Sequence, residues 1–174
     1  MLYTGKGDRG TTSVFGEPGN ISKTAPVIEA LGALDELNSL LGVCRAHCPK
    51  DVAALLYEFQ QDLFIIQAQL AGAPKEMPSF KIEKLEEKIT AIEASLPPIK
   101  TFFIPGATEA GAFLDLARTV ARRAERRVVA HVESGALTPE TTVHYMNRLS
   151  SVLYALARQV NHSSGITETP PTYE

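Results

Sequence analysis

Arginines are concentrated in one short stretch of this chain, residues 118 to 127, which read Arg-Thr-Val-Ala-Arg-Arg-Ala-Glu-Arg-Arg. The stretch carries five arginines and one glutamate, although the formal net charge of the whole chain is −3. On a helix, Arg118, Arg122 and Glu125 would share one face, whereas Arg123 and Arg127 would point well away from it. A seam of apolar residues adjoins that face and consists of Ala117, Ala121, Ala124 and Val128.

Two interpretations of this arginine helix are open. Guanidinium groups beside a packing seam are costly unless an anion meets them, which favours contact with a carboxylate, a phosphate chain or both. The alternative is a solvated helix surface with oppositely charged pairs four residues apart, each contributing very little to stability.

A glycine-rich segment near the N-terminus could also bind an anion. Residues 4 to 13 read Thr-Gly-Lys-Gly-Asp-Arg-Gly-Thr-Thr-Ser, and Gly16 and Gly19 follow. Glycines expose backbone N–H groups, hydroxyl groups donate hydrogen bonds, and Lys6 adds positive charge, so the segment has the ingredients of a phosphate-binding loop. The spacing of a Walker A motif is absent. Taken alone, the segment is therefore more typical of a flexible N-terminus.

A polar stripe runs along the last predicted helix. Asn147, Ser151, Tyr154 and Arg158 share one face. The opposite face is apolar and carries Leu149, Val152, Leu153, Leu156 and Val160. A stripe of this kind on a core-forming helix most often faces solvent, and a binding surface is the alternative.

Helical periodicity dominates after the first 25 residues. It predicts helices over residues 26–46, 51–71 and 80–96, a fourth from a Thr108 cap to about Glu133, and a fifth from Thr138-Pro139 to about Asn161. No stretch reads convincingly as a strand. We therefore predict one domain with an all-α fold, a five-helix antiparallel bundle: residues 1–25 form the glycine-rich loop, 26–161 the bundle and 162–174 a flexible tail.

Composition narrows the class of protein. With 174 residues, 44% hydrophobic and 21% charged, the chain is typical of an ordinary globular domain. Its slight acidity argues against nucleic-acid or anionic-membrane binding, and no apolar run has the length of a membrane span. We find no signal or transit segment and expect a cytoplasmic location. Cys44 and Cys48 are expected to be reduced thiols, because no second pair accompanies them.

Four motifs follow one another along the chain. They are Tyr3-Thr-Gly-Lys-Gly-Asp-Arg-Gly-Thr-Thr, Gly32-Ala-Leu-Asp-Glu-Leu-Asn, Arg118-x3-Arg-Arg-Ala-Glu-Arg-Arg and Met146-Asn-Arg-Leu-Ser. Together they resemble the PduO-type ATP:cob(I)alamin adenosyltransferases, from residue 3 to about residue 160. The resemblance implies a five-helix bundle that forms homotrimers with active sites between subunits. It also implies transfer of the 5′-deoxyadenosyl group of ATP to cob(I)alamin, with release of triphosphate.

The resemblance further implies roles for particular residues. The residues expected to wrap the ATP phosphates in the N-terminal segment are Thr4, Gly5, Lys6, Gly7, Thr12, Ser13 and Lys23. Those expected to contact ATP from the later helices are Arg122, Arg123, Glu125, Arg126 and Asn147, with Glu125 also holding Mg²⁺. Asp35 and Arg118 match an ion pair between subunits near the corrin. Phe102 matches an aromatic residue on the lower face of cobalt, where a base or water would otherwise ligate.

The implied chemistry needs no nucleophile from the protein, because Co(I) attacks C5′ of ATP. Negative charge growing on triphosphate would be met by Arg122, Arg126, Lys6, Mg²⁺ and loop N–H groups. With Arg122, the catalytic set is completed by Asp35, Arg118 and Phe102. An apolar lower face should make Co(II) easier to reduce, so a flavoprotein or other cobalamin reductase is an expected partner. Whether K⁺ joins Mg²⁺ is open.

The chain departs from the family pattern at two places, and three other functions are alternatives to the predicted one. Ser151 stands where the family often has Asp, and the segment before Lys23 lacks an arginine often found there. The main alternative is a non-enzymatic ATP or polyphosphate sensor, although a sensor has no need of an apolar wedge at Phe102. A purely structural bundle is the second. Nucleic-acid binding through residues 122–127 is disfavoured by the net charge and by the lack of interleaved aromatic residues.

Overall fold

Five helices form most of the structure, a computed structural model that describes residues 3–15 and 17–173, without the side chains of residues 17–20. They are α1 (Pro26–His47), α2 (Lys50–Leu70), α3 (Ser79–Ser95), α4 (Glu109–Glu133) and α5 (Glu140–Ser163). Each begins and ends within about two residues of the helix predicted from periodicity. The predicted five-helix bundle is therefore confirmed.

The N-terminal segment contains a β-hairpin, and the prediction of no strand is wrong there. Strand β1 (Thr11–Val14) pairs antiparallel with β2 (Glu17–Ser22), with Thr11 opposite Ser22 and Thr12 opposite Ile21. Strands of four and six residues in a glycine-rich segment give too little period-two alternation to stand out from a loop. Met1, Leu2 and Gly16 of the predicted loop lie outside the described residues.

Helices α1, α4 and α5 are the central members of the bundle, and α2 and α3 flank them. Helix α1 packs against α2 and α4, while α5 packs against α4 and α3. The predicted alanine seam of α4 lies in the resulting core, where Ala117, Ala121, Ala124 and Val128 are fully buried. Small side chains let a helix approach its neighbours closely, so α4 is held firmly between α1 and α5.

Helix α5 has more buried residues than any other helix described. Its predicted apolar face is confirmed, because Leu149, Val152, Leu153, Leu156 and Val160 are all buried. Tyr145 is also buried and donates to Asp62 Oδ2 over 2.8 Å. The other oxygen of Asp62 is paired with Lys81, so this carboxylate joins α2, α3 and α5.

Two predicted helix starts have different outcomes. The Thr108 cap of α4 is confirmed, because its hydroxyl accepts a hydrogen bond from Gly111 N over 3.0 Å. The Thr138 cap of α5 is wrong: Pro139 occupies the N-cap position, without a side-chain hydrogen bond, and α5 begins at Glu140. Proline has no side-chain acceptor, so α5 relies on the packing of its apolar face rather than on a cap.

The segment after α5, predicted to be a flexible tail, makes several contacts with the bundle. Glu168 accepts hydrogen bonds from Arg158 and Asn161, and Thr169 O accepts one from Ile104 N over 2.9 Å. Residues 168 and 169 are therefore anchored, while Glu174 lies outside the described residues. None of the helices in the described residues combines the length and the apolar character that crossing a bilayer requires.

Candidate functional site

Two tight turns shape the glycine-rich N-terminal segment. Asp8 N donates to Gly5 O over 3.3 Å, and Gly10 N donates to Gly7 O over 3.1 Å. Gly5 and Gly10 have φ angles of 68° and 80°, in the left-handed region that L side chains rarely adopt. Their lack of a side chain therefore allows the chain to reverse twice within a few residues.

Lys23 folds back onto this segment, although its contact with ATP stays a prediction. Lys23 N donates to Gly10 O over 3.0 Å, and Lys23 Nζ would lie 3.0 Å from a Cβ placed at Gly7. The hairpin makes this contact possible, because it returns the chain beside the turns. The ammonium groups of Lys6 and Lys23 therefore belong to one exposed segment together with the hydroxyl of Thr4.

The first cleft of interest, the α1/α2 cleft, has a volume of about 590 Å³. The hairpin contributes Thr12 and Ser13 to it, and α1 contributes the exposed carboxylate of Asp35. Phe64 of α2 also lines it and leaves 59% of its surface exposed. A large aromatic side chain this exposed is typical of a surface that meets a ligand or another subunit.

The arginine helix presents its charges in two directions, as its periodicity predicts. Arg123 and Arg127 turn towards α1, where they pair with Glu36 and Glu29 respectively. Arg118 and Arg122 turn the opposite way and line a cleft against α5. The expectation that Arg123 contacts ATP therefore concerns a side chain that is already paired within the protomer, and this contact stays a prediction.

This second cleft, the α4/α5 cleft, has a volume of about 580 Å³ and is bordered by the segment between α3 and α4. Phe102 of that segment is 78% exposed at its edge. Arg118 Nε donates to Asp115 Oδ1 over 2.6 Å, and its Cζ lies 5.7 Å from the centroid of the Tyr154 ring. An ion pair and an aromatic face together hold the guanidinium of Arg118 at the cleft.

Tyr154 is half-buried in the α4/α5 cleft, and this burial raises the pKa of its hydroxyl. The phenol therefore stays protonated at neutral pH and can donate a hydrogen bond. Ser151, the position at which the family often has Asp, lies exposed in the same cleft. The cleft thus combines cationic, hydroxyl and aromatic groups, with Asp115 as its one carboxylate in the described lining.

A chain of hydrogen bonds joins α3, α5 and α4 beside this cleft. Arg148 Nε donates to Glu86 Oε1 over 2.7 Å, and its other nitrogen donates to Asn147 Oδ1 over 2.7 Å. Asn147 Nδ2 then donates to Glu125 Oε1 over 2.9 Å. The predicted nucleotide contact Asn147 and the predicted Mg²⁺ ligand Glu125 are therefore direct neighbours.

The predicted site residues thus divide between two places in the protomer. In the N-terminal segment, Thr12 and Ser13 line the α1/α2 cleft, and they follow the turns that contain Thr4, Gly5, Lys6 and Gly7. Arg122 and Phe102 line the α4/α5 cleft instead. Asp35 and Arg118 also lie in different clefts, which share no lining residue among those described. Their predicted ion pair is not formed within one protomer and stays a prediction about two subunits.

Some residues of the α4/α5 cleft were not predicted to be part of the site. Asp115 lies one helical turn before Arg118, and that spacing could have indicated the pair. Tyr154 was recognised only as part of a polar stripe, and the solvent-facing interpretation of that stripe is wrong for Arg158, which is 6% exposed. Ser150 entered the prediction only as the end of the Met146-Asn-Arg-Leu-Ser motif, and Phe103 was given no role in the site.

Thiols and metal ligands are dispersed in the described part of the chain. Cys44 and Cys48 are free thiols, and burial raises their pKa values to about 12 and about 11. Within residues 3–15 and 17–173, no three His, Cys, Asp or Glu side chains gather closely enough to hold a metal ion. An all-protein metal cage is therefore not formed by these residues.

Comparison with known proteins identifies the family of this chain. A sequence model of the family described as cobalamin adenosyltransferase matches residues 2–160. The chain belongs to the cobalamin adenosyltransferase family. Among curated relatives, the corrinoid adenosyltransferase PduO of Citrobacter freundii is 41% identical over 172 residues, which are 94% of this chain and 50% of that protein. The chain thus spans about half the length of this relative and of the similar PduO of Salmonella typhimurium.

Other members of the cobalamin adenosyltransferase family match over nearly their full length. The corrinoid adenosyltransferase of Bacillus subtilis is 39% identical over 175 residues, which are 95% of this chain and 89% of the relative. A solved variant of the PduO-type ATP:corrinoid adenosyltransferase from Lactobacillus reuteri, complexed with cobalamin and ATP, superposes with a TM-score of 0.93 at 29% identity. That comparison covers 99% of this chain and 97% of the other.

Proposed function

We propose that this chain transfers the 5′-deoxyadenosyl group of ATP to a Co(I) corrinoid and releases triphosphate. The observation that carries the proposal is the α4/α5 cleft, where Arg118 and Arg122 lie beside an exposed Phe102 in a member of this family. Guanidinium groups suit a polyphosphate, and an aromatic wedge suits the flat apolar face of a corrin. The complexes of the Lactobacillus reuteri protein with cobalamin and ATP support this pair of substrates.

The reaction is a displacement at carbon. The electron pair of Co(I) forms the Co–C5′ bond, the C5′–O bond breaks, and triphosphate leaves with the electrons of that bond, so that cobalt becomes formally Co(III). No protein nucleophile takes part, which agrees with the lack of an activated Ser or Cys among the predicted site residues. Charge developing on the leaving oxygen is stabilised by Arg122 and Arg126, with Lys6 and Lys23 on the outer phosphates.

A divalent cation fits the residues beside the cleft. Mg²⁺ in nucleotide sites is usually held by one or two carboxylates together with phosphate oxygens. Glu125 supplies one half-buried carboxylate, and its hydrogen bond with Asn147 fixes the direction of that group. Glu125 would therefore hold Mg²⁺ that arrives with ATP, and the ion would supply positive charge to the phosphates. Whether K⁺ joins Mg²⁺ stays open.

We further propose that the complete site forms between two copies of the chain in a homotrimer. The separation of the phosphate-binding segment and the α1/α2 cleft from Arg122 and Phe102 supports this assembly, as does the exposure of Phe64. A contact between the α1/α2 cleft of one copy and the α4/α5 cleft of the next would bring Asp35 to Arg118. Head-to-tail contacts of this kind close into a ring when the rotation permits.

Phe102 is proposed to cover the lower face of cobalt during reduction of Co(II). Removal of an axial ligand lowers the energy of the acceptor orbital, so the Co(II)/Co(I) potential rises towards that of cellular reductants. A flavoprotein or another cobalamin reductase would supply the electron. The cytoplasm remains the predicted location of the reaction.

The decisive experiment is spectroscopic. The purified chain is mixed with ATP, Mg²⁺ and cob(I)alamin generated by a strong chemical reductant, and the absorption spectrum of an alkylcobalamin is monitored beside triphosphate release. We expect both products to form in equal amounts. ATP binding without either product would favour the alternative of a nucleotide sensor and contradict the proposal.

A further inference from the structure

The segment that carries Phe102 has no regular structure of its own. Residues 97–108 connect α3 to α4 without a helix or strand, and Phe102 of this segment lies exposed at the edge of the α4/α5 cleft. A segment of this kind keeps one conformation only where side chains outside it satisfy its backbone groups. Its points of attachment therefore determine where the aromatic ring of Phe102 lies.

Arg158 of α5 attaches the first half of the segment. Its guanidinium donates to Pro97 O over 3.0 Å, and its Cζ lies 5.4 Å from the centroid of the Phe103 ring. The side chain of Arg158 is only 7% exposed. A guanidinium so buried needs a counter-charge, because its desolvation is costly otherwise.

Glu168, beyond the end of α5, supplies that counter-charge. Its Oε2 accepts from Arg158 Nε over 3.2 Å, and its Oε1 accepts from Asn161 Nδ2 over 3.0 Å. The carboxylate is thus used on both oxygens. Since a charged acceptor forms stronger hydrogen bonds than a neutral one, Glu168 fixes the orientation of both partners.

Asn161 and the chain beyond α5 attach the second half of the segment. Asn161 Oδ1 accepts from Thr108 Oγ1 over 2.7 Å, and Thr169 O accepts from Ile104 N over 2.9 Å. A Cβ at Gly111 would overlap Asn161 Oδ1, so α4 approaches this amide closely. The four points of attachment, Pro97, Phe103, Ile104 and Thr108, therefore lie on both sides of Phe102.

We infer that Arg158, Asn161 and Glu168 form a C-terminal clamp whose function is to position Phe102 at the cleft. The inference rests on the proposed function, because it concerns the role of Phe102 in the reduction of Co(II). The three residues are positioning residues, since they act through the 97–108 segment and line no part of the α4/α5 cleft themselves. Glu168, which lies in the segment predicted to be a flexible tail, would thus help to position Phe102 for the reduction of Co(II).

The clamp is tested by Glu168→Ala, with Thr167→Ala as the matched control. Thr167 is the exposed neighbour of Glu168, and its substitution leaves the clamp intact. Two routes are compared for each variant: adenosylation from Co(II)alamin with an enzymatic or flavin reductant, and adenosylation from chemically generated Co(I). We expect Glu168→Ala to slow the first route about tenfold and the second less than about twofold, as for loss of an outer-shell partner.

A spectroscopic measurement separates positioning from general loss of structure. The electron paramagnetic resonance spectrum of bound Co(II)alamin with ATP reports whether an axial ligand is present. Glu168→Ala should increase the fraction of ligated Co(II), and Thr167→Ala should not. Glu168→Gln, which keeps one acceptor oxygen for Asn161, should give an intermediate fraction and serves if the alanine variant fails to fold.

A double-mutant cycle with Phe102→Ala completes the test. If the clamp acts through Phe102, adding Glu168→Ala to Phe102→Ala should cause no further loss in the Co(II) route. If the losses of rate from the two substitutions multiply in the double variant, the clamp is overturned. An electron paramagnetic resonance spectrum that is unchanged in both Glu168→Gln and Glu168→Ala would also overturn it. A wild-type chain that fails to adenosylate Co(I) would instead overturn the proposed function, so the two failures are distinguishable.

Discussion

The α1/α2 cleft and the α4/α5 cleft have similar volumes, about 590 and 580 Å³, but different chemistry. The first offers hydroxyl groups from the hairpin, the carboxylate of Asp35 and the nearby glycine turns. The second offers guanidinium groups and aromatic rings, among them Arg122 and Phe102. The glycine turns and hydroxyl groups that suit the outer phosphates lie at the first cleft, whereas the guanidinium groups and the aromatic ring that suits a corrin lie at the second. This difference supports the proposal that two protomers together complete one site.

The largest expected effect comes from removing a guanidinium of the α4/α5 cleft. Arg122→Ala should lower adenosylation by about a hundredfold or more, because a partner of the leaving triphosphate is lost. The rate is measured from the absorbance of the alkylcobalamin product. Arg127→Ala is the matched control, since Arg127 lies on the same helix but pairs with Glu29 of α1 at the surface. Equal rates in the two variants would remove the functional distinction between the faces of α4.

The second prediction concerns the joining of the two clefts. Asp35→Asn and Arg118→Ala should each reduce activity, and a double-mutant cycle should show strong non-additivity, as for a coupled pair. In trimers assembled from a mixture of the two single variants, about a quarter of the sites should contain both an intact Asp35 and an intact Arg118. This follows because each site takes its two halves from different subunits. Activity that stays at the level of the separate variants after mixing would indicate a site within one protomer.

The third prediction sharpens the role of the aromatic edge of the α4/α5 cleft. Phe102→Ala should slow adenosylation from Co(II) by roughly tenfold, because the lower face of cobalt becomes accessible to a ligand. Supply of chemically reduced Co(I) should restore most of the rate. Since Phe102 is 78% exposed, thermal unfolding should change little. Equal losses by both routes would argue that Phe102 serves binding rather than reduction.

The smallest expected effect on catalysis comes from a buried contact between α2 and α5 that lines neither cleft. Tyr145→Phe removes a hydrogen bond to the buried carboxylate of Asp62 and should lower the free energy of unfolding by about 1–3 kcal/mol. Urea denaturation measures this loss, with Tyr57→Phe at the surface as the control. Adenosylation per folded molecule should be retained. A large loss of activity at full folding would show that the clefts depend on more than their own residues.

The same tyrosine predicts a pH dependence of stability. Burial, followed by the charge of Asp62, raises the pKa of Tyr145 well above its ordinary value of 10.0. The proton is therefore held more tightly in the folded chain, and this contribution is complete below pH 10 and is lost as the pH rises towards the folded pKa. The free energy of unfolding of the wild type should fall more steeply above pH 10 than that of Tyr145→Phe.

The helices could be predicted well from the sequence because their signal is local. Apolar residues at helical spacing fix the buried face of α5 and the alanine seam of α4, and the structure agrees with both. The two directions of the arginines follow from the same periodicity. The hairpin was missed, since strand pairing joins residues such as Thr11 and Ser22 whose contact leaves little trace in either short segment.

The site was only partly predictable for a related reason. Motifs named the residues on each half, and the resemblance implied that Asp35 and Arg118 pair between subunits, but the clefts in which the two residues lie became clear only from the fold. Arg158 was taken for part of a solvent-facing stripe, because its partner Glu168 follows the last helix in a segment without periodicity. Contacts between a helix and an irregular segment depend on tertiary structure, which residue spacing does not encode.

The hydroxyl of Thr108 accepts from Gly111 N at the start of α4 and donates to Asn161 Oδ1. One oxygen atom thereby joins the first turn of the arginine helix to the C-terminal end of α5 and adds to the packing that fixes their relative rotation. A slip of one residue at this point would turn every following side chain by about 100°. Arg118 and Arg122 would then point out of their cleft. The position of this positive charge therefore also depends on Thr108, about three helical turns away.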